Sequence, residues 1–462
     1  MRYKSTRGNT KGVTFKDAVM MGLARDGGLL IPETIPDLSG VMTKWAGQSY
    51  GELAFSIIEL FADDLPTEDL RKLIEESYQS FDHELVTPLL KVNEVNVLEL
   101  FHGPTLAFKD VALQFLGNLF EYILAERGET LNILGATSGD TGSAAIAGVR
   151  GRENIDIFVM FPDGKVSPRQ ERQMTTILDE NVHNIAVKGS FDDCQHILKS
   201  IFSDLAFKDA YHLGAVNSVN WTRVLAQVVY YFSAWLQLQQ PDRFDVCVPT
   251  GNFGNIFAGY IARRMGLPID RLILATNEND VLSVFFNSGV YRRSDVRFSL
   301  SPAMNIQVAS NFERYLYYRL GQSADKVNEF MASFSKHGEA SLHVNTPLVD
   351  DLFRAGSASD EQTLTTIQEY QQECGYAVDP HTAVGLHIAG QFLRPGIPMV
   401  SMATAHPAKF AEIIADILPS ESISHPVLDN LQNLPTRKIN LAADVQSVKD
   451  HMADVSATRS KV

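Results

Sequence analysis

Cysteine is scarce in this sequence. Only Cys194, Cys247 and Cys374 occur among the 462 residues, and they are odd in number, widely spaced and outside any CxxC pair. Such a set argues against a disulfide framework and against a cysteine-ligated metal site. We therefore expect three reduced thiols in a protein of the cytoplasm.

Long hydrophobic runs are also absent. No stretch approaches the roughly 18 consecutive apolar residues that a membrane-spanning helix needs. The most apolar stretch, VLAQVVYYFSAWLQL at 224–238, is interrupted by Gln227 and Gln237 and predicts a buried helix. The first residues, MRYKSTRGNTKGVTF, are basic with no apolar segment after them, so we expect no secretory signal and no membrane partner.

An excess of positive charge is missing too. The 40 basic and 55 acidic residues give a formal net charge of -15. This balance argues against nucleic acid or an anionic membrane surface as a partner. An anionic small molecule would need a local basic pocket or a cluster of backbone N–H groups.

Several catalytic motifs do not occur. HExxH, GxSxG, GxxxxGK[ST] and GxGxxG are missing, and no group of histidines and carboxylates has the spacing of metal ligands. The sequence therefore predicts no metal site and no P-loop.

A repeated alternation of short apolar runs and helical patterns is present from about residue 93. The runs end in loops that carry glycine, proline or polar residues, and they occupy 131–134, 155–161, 184–187, 245–248, 271–275 and 399–402. Repeated strand–loop–helix units predict an α/β fold with parallel sheets and helices on both faces. Ligands of such folds bind beyond the carboxyl ends of the strands.

The pattern divides the chain into three parts. Residues 1–92 are predicted to form a mostly helical N-terminal domain, because apolar residues recur there at helical spacing. Residues 93–430 form the α/β region, with a helical insertion at about 310–375. Residues 431–462 alternate polar and small residues and are predicted to be a C-terminal surface tail or cover.

The loop PTGNFGN, at 249–255, lies between a predicted strand and a predicted helix. Glycine lets a ligand approach the backbone, and free N–H groups at a helix N-terminus bind phosphate. The loop suits a single phosphate, since no lysine follows it as in a P-loop. A tight turn without a ligand is the alternative.

A second loop, GATSGDTGSA at 135–144, has the same setting. Its hydroxyl and N–H groups would hold a carboxylate for the same reason. Capping of the following helix by Ser138, Asp140 or Thr141 is the alternative. Together, the two loops suggest one anionic cofactor and one anionic substrate.

Two further residues suggest a chemistry. Thr404, in SMATAHPAKF (401–410), follows a predicted strand, where its hydroxyl either meets a ring nitrogen or caps a helix. Lys109, in FHGPTLAFKD (101–110), precedes an apolar helical stripe, and apolar neighbours and a helix N-terminus both disfavour an ammonium. A snorkelling surface lysine is the alternative. A phosphate loop, a reactive amine and a hydroxyl for a ring nitrogen together match pyridoxal 5'-phosphate bound to a lysine.

Five motifs, in this order, resemble the threonine synthase family: FHGPTLAFKD, GATSGDTGSAA, NSVNWTR (217–223), PTGNFGN and TAHPAKF. The segments YKSTRG and GLARDGGLLIPE are similar to the opening of that family. The resemblance implies a pyridoxal phosphate enzyme of fold type II, in the group of the tryptophan synthase β chain. It also implies that the region 93–430 contains two α/β lobes with parallel-rich sheets.

The resemblance implies roles for single residues. Lys109 would form the Schiff base with the cofactor and act as the catalytic residue, and Thr404 would meet the pyridine nitrogen. The cofactor phosphate would be held by Gly251, Asn252, Phe253, Gly254 and Asn255. Substrate contacts are expected from Ser138, Asp140 and Thr141. The candidates for binding a substrate anion are Arg223, Lys165 and Arg169.

The implied reaction converts O-phospho-L-homoserine and water to L-threonine and phosphate, the last step of threonine biosynthesis. The protein would thus be a carbon–oxygen lyase acting on phosphate, with this small molecule as its partner. It would work as a monomer or homodimer. Two alternatives stay open: a phosphohomoserine lyase that releases 2-oxobutyrate, and a non-catalytic relative that binds the cofactor.

Overall fold

The computed structural model describes residues 1–214, 216–342, 348–418 and 423–459. Residues 343–347, within the predicted helical insertion, and residues 460–462, at the end of the predicted C-terminal tail, lie outside the described residues. None of the helices in the described ranges has the length and apolar character to cross a membrane.

The strands of the described residues follow one another in chain order. They are β1 (Tyr3–Ser5), β2 (Leu30–Pro32), β3 (Leu89–Val92), β4 (Val95–Glu99), β5 (Leu131–Ala136), β6 (Ile155–Pro162), β7 (Val182–Lys188), β8 (Leu213–Gly214), β9 (Phe244–Pro249), β10 (Ile269–Thr276), β11 (Val290–Arg292), β12 (Glu339–Ser341), β13 (Phe353–Ser357), β14 (Met399–Ala403) and β15 (Ile439–Ala442).

The helices lie between the strands along the chain. They are α1 (Phe15–Met21), α2 (Tyr50–Ile58), α3 (Thr67–Tyr78), α4 (Lys109–Arg127), α5 (Asp140–Val149), α6 (Pro168–Thr175), α7 (Phe191–Ser203), α8 (Leu205–Ala210), α9 (Trp221–Gln237), α10 (Gly254–Arg264), α11 (Val281–Ser288), α12 (Phe312–Arg319), α13 (Ala324–His337), α14 (Asp360–Cys374), α15 (Pro380–Gln391), α16 (Ala411–Ile417), α17 (Pro426–Asp429) and α18 (Val445–Arg459). Short 3-10 helices lie at Met42–Trp45, Pro302–Met304, Pro407–Phe410 and Asn430–Asn433.

The larger sheet has six strands in the order β13-β10-β9-β14-β4-β3. All of its neighbouring strands run parallel except β3, which is antiparallel to β4. These two strands form a hairpin in which Val92 is paired with Val95. The predicted boundary at residue 92 falls inside this hairpin, so β3 belongs to the sheet and not to the N-terminal helices.

The smaller sheet has five strands in the order β15-β7-β6-β5-β8, all of them parallel. The six apolar runs predicted from the sequence each lie within a strand of one of the two sheets. The predicted parallel architecture with helices on both faces is therefore confirmed.

Of the two predicted forms of the C-terminal residues, a tail or a cover, the structure has the cover. Strand β15 pairs with β7, with Asn440 opposite Ala186, and forms an edge of the smaller sheet. Helix α18 buries Val448 and Met452 in the core on that side. An edge strand and a covering helix each bury one face only, which explains the alternation of polar and small residues.

The predicted helical insertion at 310–375 contains helices α12, α13 and α14 but also strand β13. This strand pairs with β10 at the edge of the larger sheet, where Ala355 lies opposite Leu274. The segment FRAGS is short and contains glycine, so its own strand preference is weak. Its pairing depends on the neighbouring strand.

The N-terminal residues pack on the helix that the sequence predicts to be buried. All side chains of α9 from Trp221 to Trp235 are buried, which confirms that prediction. The ring of Trp221 lies 6.2 Å from that of Tyr3 and 6.1 Å from that of Phe61. Helices α1 to α3 thus share one core with α4 and α9, and the division of the chain into domains stays a prediction.

Helices α4 and α5 approach each other closely at two glycines. A Cβ atom at Gly117 would lie 1.9 Å from the carbonyl oxygen of Gly148, and one at Gly148 would lie 2.6 Å from that of Leu113. Because α4 begins at Lys109 and α5 at Asp140, this contact controls how near these two predicted site residues come.

We expect Gly117→Ala to lower the free energy of unfolding by about 1–3 kcal/mol, because the added methyl group would force α5 away from α4. The matched control is Gly51→Ala in α2, where a Cβ meets nothing within 4 Å. There, the higher helix propensity of alanine should add up to about 1 kcal/mol. Urea unfolding of the two variants measures both effects, and equal stabilities would contradict the close packing.

Candidate active site

The loops that carry the predicted site residues leave the same edge of the larger sheet. Strands β4, β14 and β9 are parallel neighbours, so their carboxyl ends lie side by side. The loop after β4 leads to Lys109, the loop after β14 carries Thr404, and the loop after β9 is the glycine-rich segment 249–255. The sheet therefore collects three motifs that are far apart in the sequence.

Backbone hydrogen bonds tie the Lys109 loop to the Thr404 loop. The Phe108 N–H donates to the carbonyl oxygen of Thr404 at 2.9 Å, and the His406 N–H donates to that of Leu106 at 3.0 Å. Leu106 has a φ of 61°, in the left-handed region, which lets the chain turn into α4 at this point. The start of α4 is thus held against the segment that follows β14.

The amine of Lys109 lies in a buried and charged environment. Its side chain is 11% exposed, and its Nζ lies 3.7 Å from Oδ2 of Asp140. Burial lowers the pKa of Lys109, the positive charges of Lys409 and Arg223 lower it further, and the Asp140 carboxylate opposes the change. A snorkelling surface lysine would keep its ammonium in water, so that alternative is wrong.

The glycine-rich loop after β9 is shaped by close backbone contacts. A Cβ atom at Gly251 would lie 2.7 Å from the carbonyl oxygen of Ala303, so only glycine fits there. Phe253 has a φ of 66°, and α10 begins at the next residue, Gly254. These features let the loop turn sharply into the N-terminus of α10.

The N–H groups of this loop are available to a ligand. The Thr250 N–H donates to the carbonyl oxygen of Ala275 at 2.8 Å. The next N–H groups, of residues 251–255, have no backbone acceptor among the residues that the structure describes. The first N–H groups of a helix lack intrahelical partners, and together with the helix dipole they favour an anion.

The second predicted loop places Asp140 in the site. Asp140 is buried at the first position of α5, and the positive charges of Lys409 and Lys109 hold its pKa well below the ordinary value despite its burial. Ser138 is exposed and Thr141 is half-buried. The cap of α5 comes from Thr137, whose hydroxyl accepts from the N–H groups of residues 139 and 142, so the predicted capping alternative names the wrong residues.

The three basic residues predicted for a substrate anion have different settings. Lys165 is exposed. Arg169 donates to the carbonyl oxygen of Ala408 at 3.3 Å and lies 3.8 Å from Asp429. Arg223 is buried, and its positive charge lowers the pKa of Lys109.

Arg223 also has hydrogen-bonding capacity to spare. Its Nη1 donates to the carbonyl oxygen of Val216 at 3.1 Å, and its buried Nε has no partner among the described residues. Burial lowers the pKa of Arg223 to about 10, which leaves it charged at neutral pH. Of the three candidates, this guanidinium best suits an anion bound next to Lys109.

Comparisons with known proteins agree with the motifs. Three family models match the chain: Threonine synthase N terminus at residues 2–78, Pyridoxal-phosphate dependent enzyme at residues 81–402, and Threonine synthase, C-terminal at residues 382–452. A threonine synthase of Pseudomonas aeruginosa is 49% identical over 420 residues, which cover 90% of each chain. The chain belongs to the threonine synthase family.

Solved structures of this family have the same fold. The PLP-bound threonine synthase of Brucella melitensis has a TM-score of 0.95 and 44% identity, with 99% of both chains covered. The threonine synthase of yeast has a TM-score of 0.93 and 40% identity, also with 99% of both chains covered. The predicted family, fold type II, pyridoxal phosphate cofactor and threonine synthase activity are therefore confirmed.

The residues at the start of α10 fit the cofactor of the threonine synthase family. The amide Nδ2 of Asn255 is buried and has no hydrogen-bond partner among the described residues. Its Oδ1 is fixed by the hydroxyls of Tyr230 and Tyr231, which donate to it at 2.6 and 2.9 Å. A buried donor without a partner is costly, and a phosphate oxygen at the free N–H groups would satisfy it.

Asn311 supports this loop, although the sequence offered no motif for it. Its backbone N–H and its Nδ2 donate to the carbonyl oxygen of Asn252 at 3.0 and 3.2 Å. The same Nδ2 donates to the carbonyl oxygen of Ser218 at 3.1 Å, and its Oδ1 accepts from the buried Arg314. Asn311 thus joins the motif NSVNWTR to the loop 249–255.

We expect Asn311→Ala to weaken binding of pyridoxal phosphate about tenfold, because the carbonyl oxygens of Asn252 and Ser218 each lose the side-chain donor, at a cost of about 1–3 kcal/mol. The control is Asn328→Ala, since Asn328 is exposed on α13 and donates only to the carbonyl oxygen of Arg7, at 3.3 Å, among the described residues. Equilibrium titration with the cofactor compares the two. Equal dissociation constants would show that Asn311 does not order the loop.

Proposed function

We propose that this chain converts O-phospho-L-homoserine and water to L-threonine and phosphate, with Lys109 as the amine that carries pyridoxal phosphate. The position of Lys109 carries the proposal. Its amine is largely buried at the start of α4, 3.7 Å from the Asp140 carboxylate, at the sheet edge that also bears the loop 249–255.

Each part of the site has a binding role in this proposal. The N–H groups of residues 251–255 and the free Nδ2 of Asn255 bind the cofactor phosphate. Thr404, buried at the end of β14, presents a neutral hydroxyl to the ring nitrogen. When bound, the cofactor supplies a conjugated ring that takes up the electrons released at the substrate's α-carbon.

Lys109 is the group that moves protons. A neutral amine is needed to remove a proton from the substrate's α-carbon, and the lowered pKa of Lys109 increases the neutral fraction near pH 7. Since the lysine starts beside that carbon, one side chain can take and return several protons in turn. Asp140 stays ionised and faces the amine whenever it carries a proton.

The substrate has two anionic groups, and the site offers two places for them. We assign one anion to the guanidinium of Arg223, whose buried Nε has no hydrogen-bond partner among the described residues. The other is assigned to the N-terminus of α5, where Ser138 and Thr141 add hydroxyl groups beside the N–H groups of residues 140 and 141, which have no acceptor among the described residues.

The test is incubation of the purified, cofactor-loaded protein with O-phosphohomoserine, with phosphate, threonine and 2-oxobutyrate measured together. We expect phosphate and threonine in equal amounts. Phosphate with 2-oxobutyrate would instead support the lyase alternative, and no phosphate at all would support a cofactor-binding relative without catalysis.

We also propose the finer assignments made from the sequence. The reaction makes the protein a carbon–oxygen lyase acting on phosphate, and the three unpaired cysteines, two of them buried, suit the reducing cytoplasm. The chain works as a monomer or homodimer, which light scattering on the purified protein distinguishes from larger assemblies.

A further inference from the structure

Asp140 lies between two lysines. Its Oδ2 is 3.7 Å from Nζ of Lys109, and its Oδ1 is 3.2 Å from Nζ of Lys409. Gln170 also donates to Oδ1, at 3.0 Å. The carboxylate therefore divides its negative charge between the amine proposed to react and a second amine that no motif had singled out.

Lys409 has no donor left for a ligand. Its side chain is 0% exposed. Its ammonium donates to the carbonyl oxygen of Thr105 at 2.7 Å and to Oε1 of Gln173 at 2.8 Å, and it faces Asp140 as well. An ammonium has three N–H donors, so this one is fully used by protein oxygens. Lys409 therefore acts on the site through Asp140 rather than through a bound anion.

The contacts of Lys409 also connect the two sheets. Lys409 lies in the 3-10 helix that follows β14 of the larger sheet, whereas Asp140 and Gln173 lie on α5 and α6, which follow strands of the smaller sheet. The lysine thus holds Asp140 in place from an element that follows a strand of the other sheet.

We propose that Lys409 is a positioning residue that binds one oxygen of Asp140 and so limits the attraction of this carboxylate for a proton on Lys109. Two effects act in the same direction. Lys409 holds Oδ1 of Asp140 at its own ammonium and away from Lys109, and its own positive charge repels a proton on Lys109. Both help the Lys109 amine to become neutral, so the inference rests on the proposed role of Lys109.

Other charged groups act on this pair from neighbouring elements. The charges of Arg223 on α9 and Asp110 on α4 shift the pKa of Lys109. The charge of His381 on α15 lowers the pKa of Asp140. Substitution at residue 409 leaves all three in place. A change in the pH at which Lys109 loses its proton would therefore result from the loss of the Lys409 side chain.

The test measures the ionisation of Lys109 in the full-length protein freed of cofactor. Acetic anhydride reacts with neutral amines, so the extent of acetylation at residue 109 rises with pH as the ammonium loses its proton. The midpoint is the pH at which acetylation reaches half of its maximum. Mass spectrometry of the peptide that contains residue 109 measures the acetylation, with the exposed Lys11 as an internal standard. For Lys409→Met, we expect the midpoint to rise by about one pH unit or more, and Lys409→Arg should restore most of the difference.

Two controls separate positioning from a loss of packing. Gln170→Leu removes a neutral hydrogen bond to the same oxygen of Asp140, and it should leave the midpoint nearly unchanged. In an Asp140→Asn background, Lys409→Met should have a smaller effect than in the unchanged protein, because only the direct repulsion between the two lysines remains to be lost. If Lys409→Met does not fold, Lys409→Gln, which keeps an amide donor for Thr105, carries the same expectation.

The proposal has clear contrary outcomes. A midpoint that is unchanged or lower in Lys409→Met would overturn it, as would an equal rise in Gln170→Leu. A rise of the same size with and without Asp140→Asn would mean that Lys409 does not act through Asp140. Because acetylation requires no substrate, these outcomes are independent of the product analysis that tests the proposed function.

Discussion

Lys109→Ala is expected to abolish turnover while the protein remains folded. Proton transfer by a positioned side chain contributes about 10²–10⁴-fold in rate, and the covalent link to the cofactor is lost as well. We therefore expect kcat/KM to fall by roughly four orders of magnitude. The fold should persist because Asp140 keeps Lys409 and Gln170 as partners.

Absorbance spectra and steady-state kinetics test this prediction together. The variant should lose the absorbance of the lysine-linked cofactor and yet bind pyridoxal phosphate through the loop 249–255. Lys165→Ala is the control, since that lysine is exposed and has no role in the proposed site. Full activity in Lys109→Ala, or borohydride reduction that labels a lysine other than 109, would refute the proposed role.

Arg223→Met is expected to separate activity from stability. The guanidinium is buried without a carboxylate partner among the residues described. An unpaired buried charge is costly, so its removal should leave the thermal midpoint unchanged or raise it. If Arg223 holds a substrate anion, the same change removes charge-assisted hydrogen bonds worth about 1.5–3 kcal/mol each, and kcat/KM should fall by about 10²-fold or more.

The control for Arg223 is Arg169→Met. Arg169 was an alternative for the same anion, but it is partly exposed and lies 3.8 Å from Asp429. We expect its replacement to change kcat/KM by less than about threefold, as for exposed ion pairs. If Arg223→Met retains nearly full kcat/KM while Arg169→Met loses it, the assignment of the anion must be exchanged between them.

The strands that bury both faces were predictable from the sequence, and several edge strands were not. The run IDIFVMF became β6, whose residues are all buried. Strands β13 and β15 lie at sheet edges, with alternating or partial exposure, so their apolar signal is weak. Their position is set by pairing with β10 and β7 rather than by their own residues.

The lysine at the start of α4 and the glycine-rich loop after β9 were likewise predictable, because their signals are local. A helix start after Gly103-Pro104 and the glycines of PTGNFGN can be recognised from neighbours in the chain. Lys409 and Asn311 were missed as site residues for the opposite reason. Lys409 contacts Thr105 across 304 positions and Gln173 across 236, and Asn311 contacts Asn252 across 59.

The sequence by itself determined the alternation of strands and helices, the glycine-rich loops at strand ends and the lysine at a helix N-terminus. These features follow from backbone preferences and hydrophobic periodicity within a few residues. Only the tertiary structure decided the lowered pKa of Lys109, the sharing of Asp140 between two lysines and the burial of Arg223. Those properties depend on burial and on charges brought together by folding, and distance along the chain carries no information about either.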